Sequence, residues 1–148
     1  MQNHFSLLNR SSAQSGILNY CHSQGIPFFS YMVLEQGALS GKFDEAHPFP
    51  AGSERARVYD PMLKQLTTLN AGLQELADRH QCSIAQLAIA WAIAKGTVPI
   101  IGVTKRDQVT DAIAAASVAL SEAEVLQMEK LADQLGICDV RSWEEEMR

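Results

Sequence analysis

The stretch Val98-Pro-Ile-Ile-Gly-Val-Thr-Lys-Arg-Asp-Gln-Val-Thr-Asp-Ala112 decides the fold, because an apolar run there becomes a helix within three residues. A strand feeding straight into a helix is the building unit of α/β proteins. Thr104 stands as N-cap with Asp107 three residues on as its reciprocal partner, so the unpaired N–H groups of the first turn face whatever lies beyond the strand end. Lys105 and Arg106 occupy the same turn. A helix N-terminus beside two cations suits a dianion such as a ribose phosphate, although capped turns of this kind are also ordinary α/β architecture.

Working upstream, Ser83 and Gln86 form a capping box, with Ile84, Leu87, Ala88, Trp91 and Ala94 on one face and Gly96 as the stop. Before it, Leu63, Leu66, Leu69, Leu73 and Leu76 repeat at helical spacing from Pro61 to near His80. The segment from Gln36 to Arg55 holds glycine turns and two prolines, so it reads as a long irregular loop of the kind that carries function. Ile26 to Leu34 is a nearly continuous apolar run of strand length, suited to a strand buried on both faces. Ile17, Leu18 and Cys21 give a helix stopped by Gly25, and Gln2 to Leu8 is a further strand candidate.

Downstream, Val109, Ala112, Ile113 and Ala116 mark the expected buried face of the helix after Thr104. Ser121 and Glu124 form another capping box, and Val125, Met128, Leu131, Ala132 and Leu135 define a last helix ended by Gly136. The tail Val140 to Arg148 is too charged for core, though Trp143 has the size to cover something. The order βαβαβα predicts three neighbouring parallel strands with helices outside. Such a sheet leaves two edges and an apolar side uncovered, as in part of something larger.

Composition narrows the partners. The chain has 148 residues, 47% hydrophobic, and a formal charge of −5 without any Lys/Arg-rich block. One domain spanning 1–148 is the expectation, with neither nucleic acid nor membrane as partner, and a cytoplasmic location. Cys21, Cys82 and Cys138 are odd in number and far apart, and His4, His22, His47 and His80 show no metal-ligand spacing. The cysteines read as reduced packing residues and the histidines as surface or loop residues.

Four ordered pieces carry a resemblance: Gln2-Asn-x-Phe-Ser-Leu-Leu-Asn-Arg10; Tyr31-x-x-Leu34 followed by Gly37-Ala-Leu-Ser-Gly-Lys42; Ala88-Ile-Ala-Trp91; and Pro99-Ile-Ile-Gly-Val-Thr-Lys105. In order and spacing they resemble the C-terminal half of the aldo-keto reductases, (β/α)₈ barrels that reduce carbonyl groups with NADPH. The resemblance implies a partial TIM-type barrel comprising units six to eight and a closing helix, well short of the roughly 250 residues of a full barrel. It implies a nicotinamide cofactor, NADP(H). Gln2 is similar to the glutamine that binds the nicotinamide carboxamide, although by itself it is an ordinary polar strand start. Tyr31 resembles the aromatic residue stacked on the nicotinamide ring, or else packs in the core. Leu34, Gln36 and Lys42 resemble positions along the pyrophosphate, and Arg55 or Arg57 the arginine closing over it. Gly102, Thr104, Lys105, Gln108 and Asp111 resemble the positions that bind the adenosine ribose, its 2′-phosphate and the adenine. Where the family often has Asn, this chain has Ala112, which removes one hydrogen bond to adenine.

The family's catalytic Asp, Tyr, Lys and His belong to the N-terminal half of the barrel. Tyr20 and Tyr59 fall in helix or loop without Lys and His around them in sequence, so neither is a credible replacement acid. The expectation is therefore a truncated reductase chain with no catalytic residues of its own, inactive alone. The alternative is a non-catalytic remnant that binds NADP(H) or self-assembles. Open strand edges further imply a homo-oligomer or a complementing N-terminal barrel half.

Overall fold

A computed structural model describes residues 1–136, so the expectations for Cys138 and Trp143 lie outside the described residues. Strands β1 (Gln2–His4), β2 (Phe29–Tyr31) and β3 (Val98–Pro99) form one parallel sheet in chain order. His4 lies opposite Tyr31, and Phe29 opposite both Gln2 and Val98. Helices α1 (Ser11–Gln14) and α2 (Ile17–Ser23) make the first crossover, and α3 (Glu54–Tyr59), α4 (Leu63–Arg79) and α5 (Ile84–Ala94) the second. Helices α6 (Arg106–Ala115) and α7 (Glu122–Gln134) follow β3. This is the partial (β/α) barrel expected.

The strands are shorter than the apolar runs that announced them, for identifiable reasons. β1 ends where Ser6 Oγ accepts hydrogen bonds from the backbone N–H of Leu8 (3.1 Å) and Asn9 (3.0 Å), turning the chain away from the ladder. β2 ends at Met32, whose φ of 61° takes it out of extended backbone. In β3 Pro99 has no N–H to donate, and the ladder closes with Ile100 N–H donating to Ser30 O at 2.8 Å.

Burial on both faces of β2 is not observed. Alternate residues point to opposite sides of a strand; Phe28 and Ser30 are buried, but Phe29 is 39% exposed and its neighbour Val98 48%. One face of the sheet is covered by helices and the other stands largely open.

The covered side is held by the leucine ladder of α4, with Leu66, Leu69, Leu73 and Leu76 all fully buried, and by Leu87 and Trp91 of α5. A fully buried leucine contributes about 1.5–3 kcal/mol relative to exposure. Phe5 joins this core to the sheet, stacked on Trp91 at 5.2 Å between ring centroids. Trp91 Nε1 donates to Glu129 on α7 (3.2 Å), and Lys95 and Arg10 pair with the same carboxylate at 3.0 and 3.7 Å. One acidic residue thus ties the last helix to the second crossover and to the start of α1.

Three expected faces need correction. On α6, Ala112 is half-buried and Ala115 buried, whereas Val109, Ile113 and Ala116 are exposed, Ile113 by 68%. The helix meets only α5 closely, so its second apolar flank has no covering element among the described residues. Ile17 on α2 and Ala94 on α5 are likewise exposed at the helix ends. The Ser83–Gln86 and Ser121–Glu124 capping boxes form as expected, and α7 buries Met128 and Ala132.

Candidate functional site

The turn opening α6 is built differently from the expected Thr104–Asp107 cap. Lys105 is the N-cap residue, and Gln108 is the reciprocal partner. Gln108 Oε1 accepts from Thr104 N–H (2.7 Å), Thr104 Oγ1 (3.2 Å) and Lys105 N–H (3.1 Å). A glutamine three residues past the N-cap reaches the cap's N–H, whereas the shorter aspartate at Asp107 is one position early. The unpaired N–H groups of the first turn stay available to an anion.

That turn faces a cavity of about 590 Å³. Of the residues singled out in sequence, Leu34, Gln36, Lys42, Arg55, Gly102, Thr104, Gln108 and Asp111 line it. Gln2 and Tyr31 lie outside this lining on neighbouring strands, and Lys105 is exposed at the mouth of α6. Between the two arginines left open by the sequence, Arg55 is the one on the cavity; its Nη1 donates to Gln36 O at 3.4 Å, while Arg57 pairs with Glu54 on the outside.

Sequence reasoning missed Ser83, Gln86 and Ile89 of α5, which form another wall. Ser83 and Gln86 are legible in sequence as a helix cap, but none of the three as a neighbour of α6. Gln86 bridges the two helices: its Oε1 accepts from Ser83 N–H (2.9 Å) and its Nε2 donates to Asp111 O (3.2 Å). The N-terminal turns of α5 and α6 therefore open on the same space, where their dipoles add. The loop is pressed against α5 at Gly41, where a Cβ would stand 2.8 Å from Ile84 Cδ1 on a backbone with φ +72°, so any side chain there is strained and glycine is favoured. This close approach sets Lys42 beside the start of α5.

Beneath the loop lies a buried polar cluster. Glu35, fully buried, accepts hydrogen bonds from Ser6 Oγ, His4 Nε2 (2.6 Å) and Tyr59 OH (2.7 Å). His4 is 2% exposed and in a strand, which corrects the surface or loop reading; its partner is 31 residues away, a pairing that local spacing does not reveal. His80, too, is held, by Glu124 at 2.8 Å. Burial, then the Glu35 charge, raise the Tyr59 phenol far above its ordinary range, so it stays protonated and gives its proton's hydrogen bond to Glu35. Tyr31 is half-buried with its ring stacked on His4 at 5.7 Å. Tyr20 is 62% exposed on α2.

The cavity presents cations and an unpartnered hydrogen-bond donor to an anionic ligand. Gln36 Nε2 is buried on its wall without a hydrogen-bond partner, a donor waiting for an acceptor. Gly102 leaves open space where a side chain would stand. Two cations and two helix N-termini border the cavity, in a chain that is net acidic. Among the described residues no group of three or more His, Cys, Asp or Glu is placed to hold a metal ion, and no helix is long and apolar enough to cross a membrane.

A partial parallel barrel with a cavity at its βα turns has that cavity where barrel enzymes place their active sites. The chain belongs to the aldo/keto reductase family, whose model matches residues 1–133. Members of this family generally use a nicotinamide cofactor. The chain is 35% identical over 130 residues to a chloroplastic pyridoxal reductase of Arabidopsis thaliana, covering 88% of this chain and 35% of that protein. It is 32% identical over 140 residues to an NADH-specific methylglyoxal reductase of Escherichia coli, covering 91% and 42%. Among solved structures, glycerol dehydrogenase AKR11B4 from Gluconobacter oxydans superposes with a TM-score of 0.82 at 19% identity, over 95% of this chain and 44% of that one, a likeness of fold. The chain thus spans less than half the length of each of these proteins.

Proposed function

We propose that this chain is the NADP(H)-binding part of an aldo-keto reductase that reduces aldehydes or ketones to alcohols. The observation that carries the reading is the unpartnered Gln36 Nε2 on a cavity shared by Lys42, Arg55 and the first turns of two helices. Bound NADPH supplies the hydride for carbonyl reduction. In this reading Gln36 donates to a pyrophosphate oxygen, and Lys42 and Arg55 neutralise its charge. The α6 turn with Thr104 and Lys105 receives the ribose 2′-phosphate. Gln108 and Asp111 meet the adenosine, with Gly102 leaving it room and Leu34 giving an apolar floor. Gln2 binds the carboxamide and Tyr31 covers one face of the nicotinamide.

The chain works in this reading with a complementing barrel half or with further copies of itself, since the open sheet face and the bare flank of α6 call for cover. Taken alone it performs cofactor binding without turnover. The observation favouring this is the placement of the tyrosines outside the cavity, with Tyr59 committed to Glu35 and Tyr20 on the surface.

Lys105→Ala tests the choice of cofactor. The wild type is expected to hold NADPH more tightly than NADH, and the variant to lose about tenfold of that preference, as expected for one charge-assisted contact. Equal affinity for both cofactors, unchanged in the variant, would remove the 2′-phosphate role; the NADH-specific relative makes this a real alternative.

A further inference from the structure

Glu35 is an expensive residue where it stands. Its carboxylate is fully buried, and its backbone, with that of Gln36, is left-handed at φ 46° and 52°, a conformation that is strained for a non-glycine residue. Replacing a buried ionic group with a well-packed apolar one is often neutral or stabilising. Stability alone therefore does not account for a carboxylate here.

Its partners indicate another role. Asn9 Oδ1 accepts from Ser11 N–H and Oγ, which fixes the amide so that Asn9 Nδ2 donates to His4 Nδ1 at 3.0 Å. His4 Nε2 therefore carries the proton and donates it to Glu35. The His4 ring in turn backs Tyr31. On the other oxygen, Tyr59 anchors α3, and one turn earlier on that helix Arg55 reaches the carbonyl of Gln36. Both chain neighbours of Glu35, Leu34 and Gln36, line the cavity.

We propose that Glu35 is a positioning residue that fixes the nicotinamide-facing Tyr31 and the pyrophosphate-facing Gln36 and Arg55 relative to each other, through His4 on one side and Tyr59 on the other. This rests on the cofactor reading above. Glu35 touches no cofactor itself; it lets one buried charge set the spacing of groups from three separate segments. The adenosine end, built by α5 and α6 with their own Gln86 and Gln108 contacts, is outside its reach.

Calorimetric titration of the full chain with NADPH and with adenosine 2′-monophosphate, which has no 5′-phosphate to meet Gln36 or Arg55, separates the two. Glu35→Gln keeps the shape and removes the charge; it is expected to weaken NADPH about tenfold while the monophosphate stays within about twofold. Tyr59→Phe, which removes a single hydrogen bond and keeps the ring, is expected to do the same about threefold, and decides the matter if Glu35→Gln does not fold. Equal weakening of both ligands, or of neither, in a wild type that binds NADPH would overturn the positioning role. Failure of the wild type to bind either ligand would instead remove the cofactor reading, and this inference with it.

Discussion

Removing the Gln108 side chain isolates what the α6 cap does for the proposed adenosine site. Gln108 Oε1 collects the N–H groups of Thr104 and Lys105 and the Thr104 hydroxyl. All three donors belong to exposed residues, so in Gln108→Ala water replaces the lost acceptor and no buried group is orphaned. The expected loss of stability is therefore about 1 kcal/mol, that of an ordinary cap, and not the larger cost of an unsatisfied buried donor. Affinity falls more than this small loss suggests. Without the glutamine the turn at Thr104 and Lys105 is no longer fixed, and ordering one residue's backbone costs about 1–2 kcal/mol, or about tenfold in affinity for adenosine 2′,5′-bisphosphate. Urea unfolding followed by circular dichroism gives the first quantity and calorimetry the second. Gln108→Glu supplies the control: it keeps the acceptor and the cap, so stability holds, but it sets a negative charge beside the phosphate site and binding drops further. A Gln108→Ala variant that loses more than about 3 kcal/mol, or binds the bisphosphate as the wild type does, would refute this account of the turn.

Further outcomes follow from other contacts. The Glu124 carboxyl is held down at about 2, first by the backbone N–H of Ser121 and next by His80, against an ordinary 4.5. Its contribution to stability is present above pH 4.5 and is lost as pH falls towards 2; thermal melts should show a wild-type-minus-Glu124→Gln difference that shrinks across that window, and a constant difference would contradict the pairing. Ile113, 68% exposed beside exposed Val109, lies on the flank proposed to meet another copy or barrel half. Light scattering should give the wild type a mass above one chain and Ile113→Lys a lower one, with melting temperatures within about 2 °C; a monomeric wild type would rule out self-assembly through this flank.

Much of this architecture could be read from local pattern. The α4 leucines, the Ser83 and Ser121 capping boxes and the glycine stops are short-range devices, and each forms as its spacing implies. Legibility failed where the deciding partner was distant. His4 reads as an ordinary polar residue until Glu35 is folded against it, and Gln86 reads as a cap until α6 is laid alongside. Val109 and Ile113 have helical apolar spacing, but spacing states which residues share a face, not whether anything covers it. Strand lengths were overestimated because apolar runs continue past the points where Ser6, Met32 and Pro99 end the ladder. The cavity-lining residues Leu34, Gln36, Lys42, Gly102, Thr104, Gln108 and Asp111 came from the family resemblance, and the fold brings them together with Arg55.

On the proposed reading, this chain carries a cofactor site without a complete set of catalytic groups. Titrating the purified full chain with NADPH, followed by addition of a test aldehyde to the same sample, examines both halves at once. Saturable binding with one cofactor per chain, and no loss of NADPH absorbance when aldehyde is added, is the predicted result. Absence of binding at millimolar cofactor, or steady oxidation of NADPH by the chain alone, would contradict it.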